Sequence, residues 1–172
     1  MGTPLTIAFV YDSGNGRYGQ KLSIAGNVMQ KTTLAEGKGS MSIQGNVIEM
    51  NAAQLAEAQL NSYLFPEAVY KANGYTVSLD GLKDVEGKPA YKVVITTASG
   101  SKLTNYYAQD SGLKVKYENP SFGDTYFNDY QAKNGVLLPM SWTIKSPQIP
   151  VPLEAKVTSL ELNVPVTEAD IN

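Results

Sequence analysis

The sequence predicts a mainly β protein: a curved antiparallel sheet, an unclosed β-barrel, with one helical insertion acting as a lid. Three observations predict it. Apolar and polar residues alternate along successive short runs, the period of a strand with one buried face. Turn dipeptides such as Asn15-Gly16 and Asn134-Gly135 separate those runs at hairpin spacing. Only the stretch 51–72 changes to a helical period.

Residues 3–12 (TPLTIAFVYD) read as the first strand, with Leu5, Ile7, Phe9 and Tyr11 on one face. Asn15-Gly16 turns the chain, because both central residues of a type I′ turn need positive φ. The return over 17–31 is expected as one long strand carrying Tyr18, Leu22, Ile24 and Val28 in phase, with Gly26 marking a bulge or bend. Two shorter strands follow, 39–45 with Met41 and Ile43, and 46–50. Over 51–65 good helix formers carry an apolar stripe of Ala52, Leu55, Ala56, Leu60, Tyr63 and Leu64 behind an Asn51 N-cap. Pro66 ends this helix and opens a second short piece that Asn73-Gly74 closes. Strands resume at 75–79, 90–97, 102–109, 113–118, 125–132, 136–145 and 153–164. The proline-rich crossing 146–152 cannot donate to a ladder and is expected as a bulge, a strand edge or an exposed connection. The count comes to about ten or eleven strands.

Composition removes several functions. The 172 residues suit one domain. Without histidine there is no imidazole base and no histidine-ligated zinc; without cysteine there is no disulfide, thiolate nucleophile or iron–sulfur cluster. A net charge of −2 offers no basic excess for a phosphate backbone, so no nucleic-acid partner is expected. No apolar run approaches the roughly 20 residues of a transmembrane helix. Met1-Gly2 precede the first strand with no basic n-region or cleavage site, and are expected to be vector-derived residues on a piece of a longer precursor.

Candidate catalytic and metal-binding groups are weak. Asp124 and Asp129 stand five apart on one strand and point to opposite faces; Asp80 and Asp84 flank Gly81 as turn residues. Gly37-Lys38-Gly39-Ser40 lacks the spacing of a phosphate loop, and Asp12-Ser13-Gly14-Asn15-Gly16 does not fit a calcium loop. Neither an enzyme nor a cofactor nor a metal is expected. Tyr106, Tyr107, Tyr117, Tyr126 and Tyr130 read either as a stacking platform for sugar rings or, preferably, as ordinary cross-strand aromatics.

Geometry points to a ligand instead. Ten strands about 4.8 Å apart make a sheet about 48 Å wide and about 20 Å high, a face on the order of 1,000 Å². About 22 helical residues cover about a third of that. Yet nearly every strand supplies an apolar row: Leu5, Ile7 and Phe9; Leu22, Ile24 and Val28; Met41 and Ile43; Val77 and Leu79; Val93 and Ile95; Leu113 and Val115; Met140, Trp142 and Ile144. With Leu55, Leu60, Leu64 and Phe65 from the helical segment, these are the expected lining of a cavity for a hydrophobic ligand. The alternative is that curling alone closes a dry core, leaving a ligand-free interaction or scaffold domain.

The order of strands, helical insertion and long meander resembles the LolA/LolB-like proteins, the outer membrane lipoprotein-sorting superfamily. The residues that carry the likeness are Gly39-Ser40-Met41-Ser42, Glu49-Met50 leading into the 52–63 helix, and Gly74-Tyr75-Thr76-Val77-Ser78-Leu79. Further along they are Val85-Glu86-Gly87-Lys88-Pro89-Ala90-Tyr91-Lys92-Val93, Tyr106-Tyr107 before Asp110-Ser111-Gly112-Leu113-Lys114-Val115, and Asp129-Tyr130 before Gly135-Val136-Leu137-Leu138-Pro139. The resemblance implies that 3–172 form one half-barrel domain holding a lipid, acyl chain or lipoprotein between sheet and helix. It also implies a periplasmic or outer-membrane-associated location, and other domains of a parent chain as possible neighbours. The family usually begins with an amphipathic helix, whereas this chain starts in strand. No basic residue here aligns with the family's functional arginine.

Overall fold

A computed structural model describes residues 5–98, 100–118, 123–147 and 150–171. The protein is mainly β, with two unclosed antiparallel sheets and two short α-helices among the described residues. It divides into two compact units, Met1–Val69 with Asn163–Asn172, and Tyr70–Leu162. The break between the sheets falls at the helical insertion, so the expected wide meander becomes two narrower walls.

The first unit holds a five-stranded meander: β1 (Leu5–Asp12), β2 (Arg17–Ile24), β3 (Asn27–Ala35), β4 (Lys38–Ile43) and β5 (Asn46–Glu49). The single long strand expected over 17–31 is in fact a hairpin. Ala25 and Gly26 adopt φ values of 50° and 82°, so the chain reverses where the sequence reading placed a bend. Val28 consequently faces Ser23 across a register shift, out of phase with Leu22 and Ile24.

Helix α1 (Ala52–Asn61) starts at the expected Asn51. The Asn51 side-chain oxygen accepts from the Gln54 N–H and the Gln54 side chain accepts from the Asn51 N–H, both at 3.0 Å, a reciprocal cap. The helix stops at Ser62, whose hydroxyl donates to the Gln59 carbonyl at 2.7 Å. A 3-10 turn, Pro66–Val69, follows at the predicted proline. Near the chain end, α2 (Glu168–Ile171), absent from the sequence reading, packs on β2. Gly19 makes that possible: a Cβ there would come within 3.1 Å of the Ile171 carbonyl oxygen.

The second unit holds β6 (Thr76–Val85), β7 (Lys88–Thr96), β8 (Lys102–Ala108), β9 (Lys114–Glu118), β10 (Asp124–Lys133), β11 (Val136–Lys145) and β12 (Leu153–Lys156), neighbours in sequence order. Two strands differ in length from expectation. The first runs on to Val85 through a bulge between Leu79 and Leu82, where Gly81 has φ 78°. Asp80 and Asp84 are thus strand residues, one paired with Lys92 at 2.9 Å and the other accepting from the Gly87 N–H at 2.9 Å. The last strand stops at Lys156 rather than 164. One further backbone bond, from the Val157 N–H to the Met140 carbonyl at 2.8 Å, ends its pairing with β11. Of the 146–152 crossing, residues 148–149 lie outside the described residues.

Candidate functional site

Register assigns the residues of each sheet to its two faces; in the seven-stranded sheet both faces hold buried apolar side chains. In the five-stranded sheet a row of paired positions runs Tyr11–Tyr18–Leu34–Gly39. The next row runs Phe9–Gln20–Thr32–Met41–Ile48, then Ile7–Leu22–Gln30–Ile43–Asn46, and last Leu5–Ile24. The first row is buried, and exposed apolar residues stand in each of the other three. Tyr18 and Leu34 are 4% and 1% exposed, while Leu5 at the far end is 57% exposed and Ile7, Phe9, Ile24, Ile43 and Ile48 are all exposed.

The cause is α1. It lies over the first row, where Gly39 offers no side chain: a Cβ there would meet the Met50 sulfur at 2.6 Å and Leu55 Cδ1 at 3.1 Å. A hydrogen bond from the Ser13 hydroxyl to the Ser62 carbonyl ties the helix end to the β1–β2 turn at 3.3 Å. Burial pushes the Tyr11 hydroxyl up to about 12 and raises Tyr18 as well, their rings 5.5 Å apart. The helix therefore covers one end of this face and leaves the other open.

In the seven-stranded sheet a single row, Leu79–Val93–Asn105–Tyr117–Thr125–Ile144–Leu153, crosses every strand. Val77, Ile95 and Leu103 form a row beside it, and Phe127, Trp142 and Ala155 another. Ile95 is fully buried, whereas Leu79 on the edge strand is 65% exposed. Asn105, 3% exposed, is the polar residue at the centre. Its side-chain N–H donates to the Tyr107 hydroxyl at 3.1 Å and to the Tyr70 hydroxyl at 3.4 Å, and the Tyr70 ring stacks on Tyr75 at 5.9 Å.

The opposite face of this sheet carries ions. Lys116 Nζ sits 2.7 Å from Asp124 and 3.3 Å from Glu118, with the rings of Tyr106 and Tyr126 at 5.1 and 5.6 Å. The Tyr106 hydroxyl donates to Glu118. Burial works against the Lys116 charge, but the two carboxylates outweigh it and hold its pKa at about 12. Burial likewise opposes ionisation of Glu118, and the Tyr106 hydroxyl and Lys116 overcome it, holding the carboxyl below its ordinary range. Tyr106 itself is pushed up to about 12, first by burial and then by its bond to Glu118. One ammonium thus serves two carboxylates, and the cluster joins β8, β9 and β10, where among the described residues β9 and β10 pair at Tyr117–Thr125 and Lys116–Tyr126.

The predicted lining residues divide accordingly. Leu5, Ile7, Phe9, Leu22, Ile24, Met41 and Ile43 share the apolar face of the first unit, Leu55 and Leu60 belong to the helix there, and Leu64 and Phe65 follow it, exposed. Val77, Leu79, Val93, Ile95, Met140, Trp142 and Ile144 share the apolar face of the second. Leu113 precedes β9, and Val115 packs instead on the other face, against the Val85, Ala90 and Tyr106 cluster. Ile48 and Leu103 belong to these faces and were missed, although the alternation of 46–50 and 102–108 marks them. Asn105 gave no signal, since an asparagine between Thr104 and Tyr106 reads as solvent-facing. The five tyrosines form no platform: Tyr106 and Tyr126 lie on one face, Tyr107 and Tyr117 on the other. An open groove of about 370 Å³ lies at Lys145, Ser146, Pro147, Pro150 and Pro152, and contains none of the predicted residues.

No family model and no curated protein matches the sequence. Solved structures do. An outer membrane lipoprotein-sorting domain, so described, from Vibrio parahaemolyticus aligns with a TM-score of 0.63 at 9% identity, over 98% of this chain and 80% of that one. A LolA superfamily protein from Nitrosomonas europaea aligns with a TM-score of 0.57 at 11% identity, over 93% and 83%. The fold is LolA-like. At such identities the likeness speaks for the path of the backbone, and the arrangement of apolar and polar faces is this chain's own.

Proposed function

We propose that the protein is a non-enzymatic carrier or binding domain of the bacterial cell envelope that holds an acyl chain of a lipid or lipoprotein. The site we assign is the open end of the apolar face in the first unit, beside α1. The observation that carries this reading is the contrast across that face: Leu5, Ile7, Phe9, Ile24, Ile43 and Ile48 stay exposed while Tyr18 and Leu34 are buried. Exposed apolar surface of this kind, Leu5, Ile7, Phe9 and Ile24 on one side and Ile43 and Ile48 on the other with Gln20, Thr32 and Gln30 between them, is what binding sites present. Five strands at about 4.8 Å make a wall about 24 Å across, long enough for an extended acyl chain. Each buried CH₂ contributes about 0.8 kcal/mol, so affinity needs no charged anchor. Exposed Leu64 and Phe65, just beyond the helix, extend the same lining.

The likeness over 98% of the chain supports treating 3–172 as one LolA-like domain, and a periplasmic or outer-membrane-associated location follows from the same analogy. Saturable displacement of a fluorescent fatty acid, together with mass spectrometry of solvent extracts, tests the reading. Phe9→Ser and Ile7→Ser are expected to weaken displacement about tenfold while leaving stability within about 0.5 kcal/mol, because both side chains are exposed. Absence of saturable binding removes the carrier and leaves an interaction domain.

A further inference from the structure

Strand edges are where sheets recruit other strands, and three of the four edges here are guarded. β5 and β12 are four residues long and carry Glu49, or Glu154 and Lys156. β6 is bulged between Leu79 and Leu82 and carries Asp80, Lys83 and Asp84. Short length, bulges and charge are the usual defences against edge pairing. β1 has none of them. It is eight residues long, pairs with β2 without a bulge, and has no charge from Leu5 to Tyr11. Among the described residues, its outer side makes no backbone hydrogen bond over that span.

We propose that β1 is a homodimerisation strand, pairing antiparallel with β1 of a second copy about a two-fold axis at Ala8. The sequence is self-complementary in that register. Leu5 meets Tyr11 and Ile7 meets Phe9 on the apolar face, each pair occurring twice; Thr6 meets Val10 and Ala8 meets its own twin on the other. Charge permits the pairing. Asp12 lies beyond the paired segment and is held by Arg17, whose Nε donates to it at 2.9 Å. Lys21, beside Ala8, stands three strand spacings from its counterpart on the second copy, about 14 Å against a screening length of about 8 Å. The pairing buries on the order of 700 Å² in all, below the about 1,200 Å² of standard interfaces, so the dimer is weak and concentration-dependent.

Sedimentation of the full chain from about 10 µM to about 500 µM is expected to show the mass rising toward twice that of the single chain. Ala8→Glu sets its carboxylate beside Lys21 within one copy but against its twin across the axis. It is expected to raise the dissociation constant at least tenfold with the thermal midpoint unchanged. Ala8→Lys is expected to dissociate the dimer too, and mixing equal amounts of the two variants is expected to restore association. A chain monomeric throughout, a dimer that Ala8→Glu leaves intact, or a mixture that stays monomeric while the unaltered chain pairs overturns the proposal. Ala8 lies on the polar face, so fatty-acid displacement reads the acyl site separately.

Discussion

The five-stranded sheet is closed at its buried end by apolar contact, with Leu34 and Tyr18 under a short helix, whereas the seven-stranded sheet buries Asn105 among hydroxyls and pins three strands with Tyr106, Lys116, Glu118 and Asp124. The difference shows two ways of fixing a register. Apolar packing is non-directional and loses stability in proportion to what is removed. A polar cluster in a low-dielectric setting is directional, and removing one member strands the others. The first kind leaves apolar side chains exposed at its open end. The second makes a face that is already satisfied.

The comparison is broken most sharply at the buried aliphatics. Leu34→Ala and Ile95→Ala, one in each unit, are each expected to cost about 2–5 kcal/mol in urea unfolding, with the loss of amide protection centred on the mutated sheet. Equal loss of protection in both sheets would mean that the two walls are not separately held. Asn105→Ala is expected to cost about 1–3 kcal/mol, since the Tyr70 and Tyr107 hydroxyls lose a buried donor. Near-infrared-silent but ultraviolet-active, those tyrosines report the change in near-UV circular dichroism.

Asn51→Ala removes the reciprocal cap of α1 and is expected to cost about 1 kcal/mol in thermal unfolding. Smallest is Glu118→Gln, below about 1 kcal/mol because the pair is partly solvated. Its pH dependence is diagnostic. The Glu118 carboxyl is held below its ordinary value near 4.3, so its contribution is complete above that value and disappears as pH falls through the lower folded one. The difference in urea midpoint between the unaltered chain and Glu118→Gln is expected in full above about pH 5, to shrink as pH falls through about 4.3, and to vanish only below the depressed folded value. A difference that persists into acid would assign the Glu118 effect to packing.

Much of the site was legible because alternation is a local property. The strand at 136–145 is observed with those bounds, and Leu5, Ile7 and Phe9 share a face as their spacing required. The Asn51 cap and the Pro66 break depend on backbone chemistry within a few residues, and both are present. What failed were reversals and endings. Alanine is a poor residue for φ 50°, at a cost of roughly 1 kcal/mol, so Ala25-Gly26 does not announce a hairpin. The last strand alternates as far as 164 but its ladder ends at the bond from Val157 to Met140, because alternation marks which residues share a face and not where a partner strand stops. Val115 leaves the expected face through the register shift between β8 and β9.

By itself the sequence determined the fold class, the place of the single helical insertion and, away from bulges and unannounced turns, the residues that share a strand face. Each of these follows from side-chain period and from caps and turns read over a few positions. Only the tertiary structure decided that the meander parts into two sheets, which end of the first apolar face the helix covers, and that Asn105 is a buried anchor rather than a solvated side chain. The physical reason is that exposure belongs to what lies above a residue in space, and the contacts of Leu55 with Gly39 or of Tyr70 with Asn105 join positions that no local pattern connects.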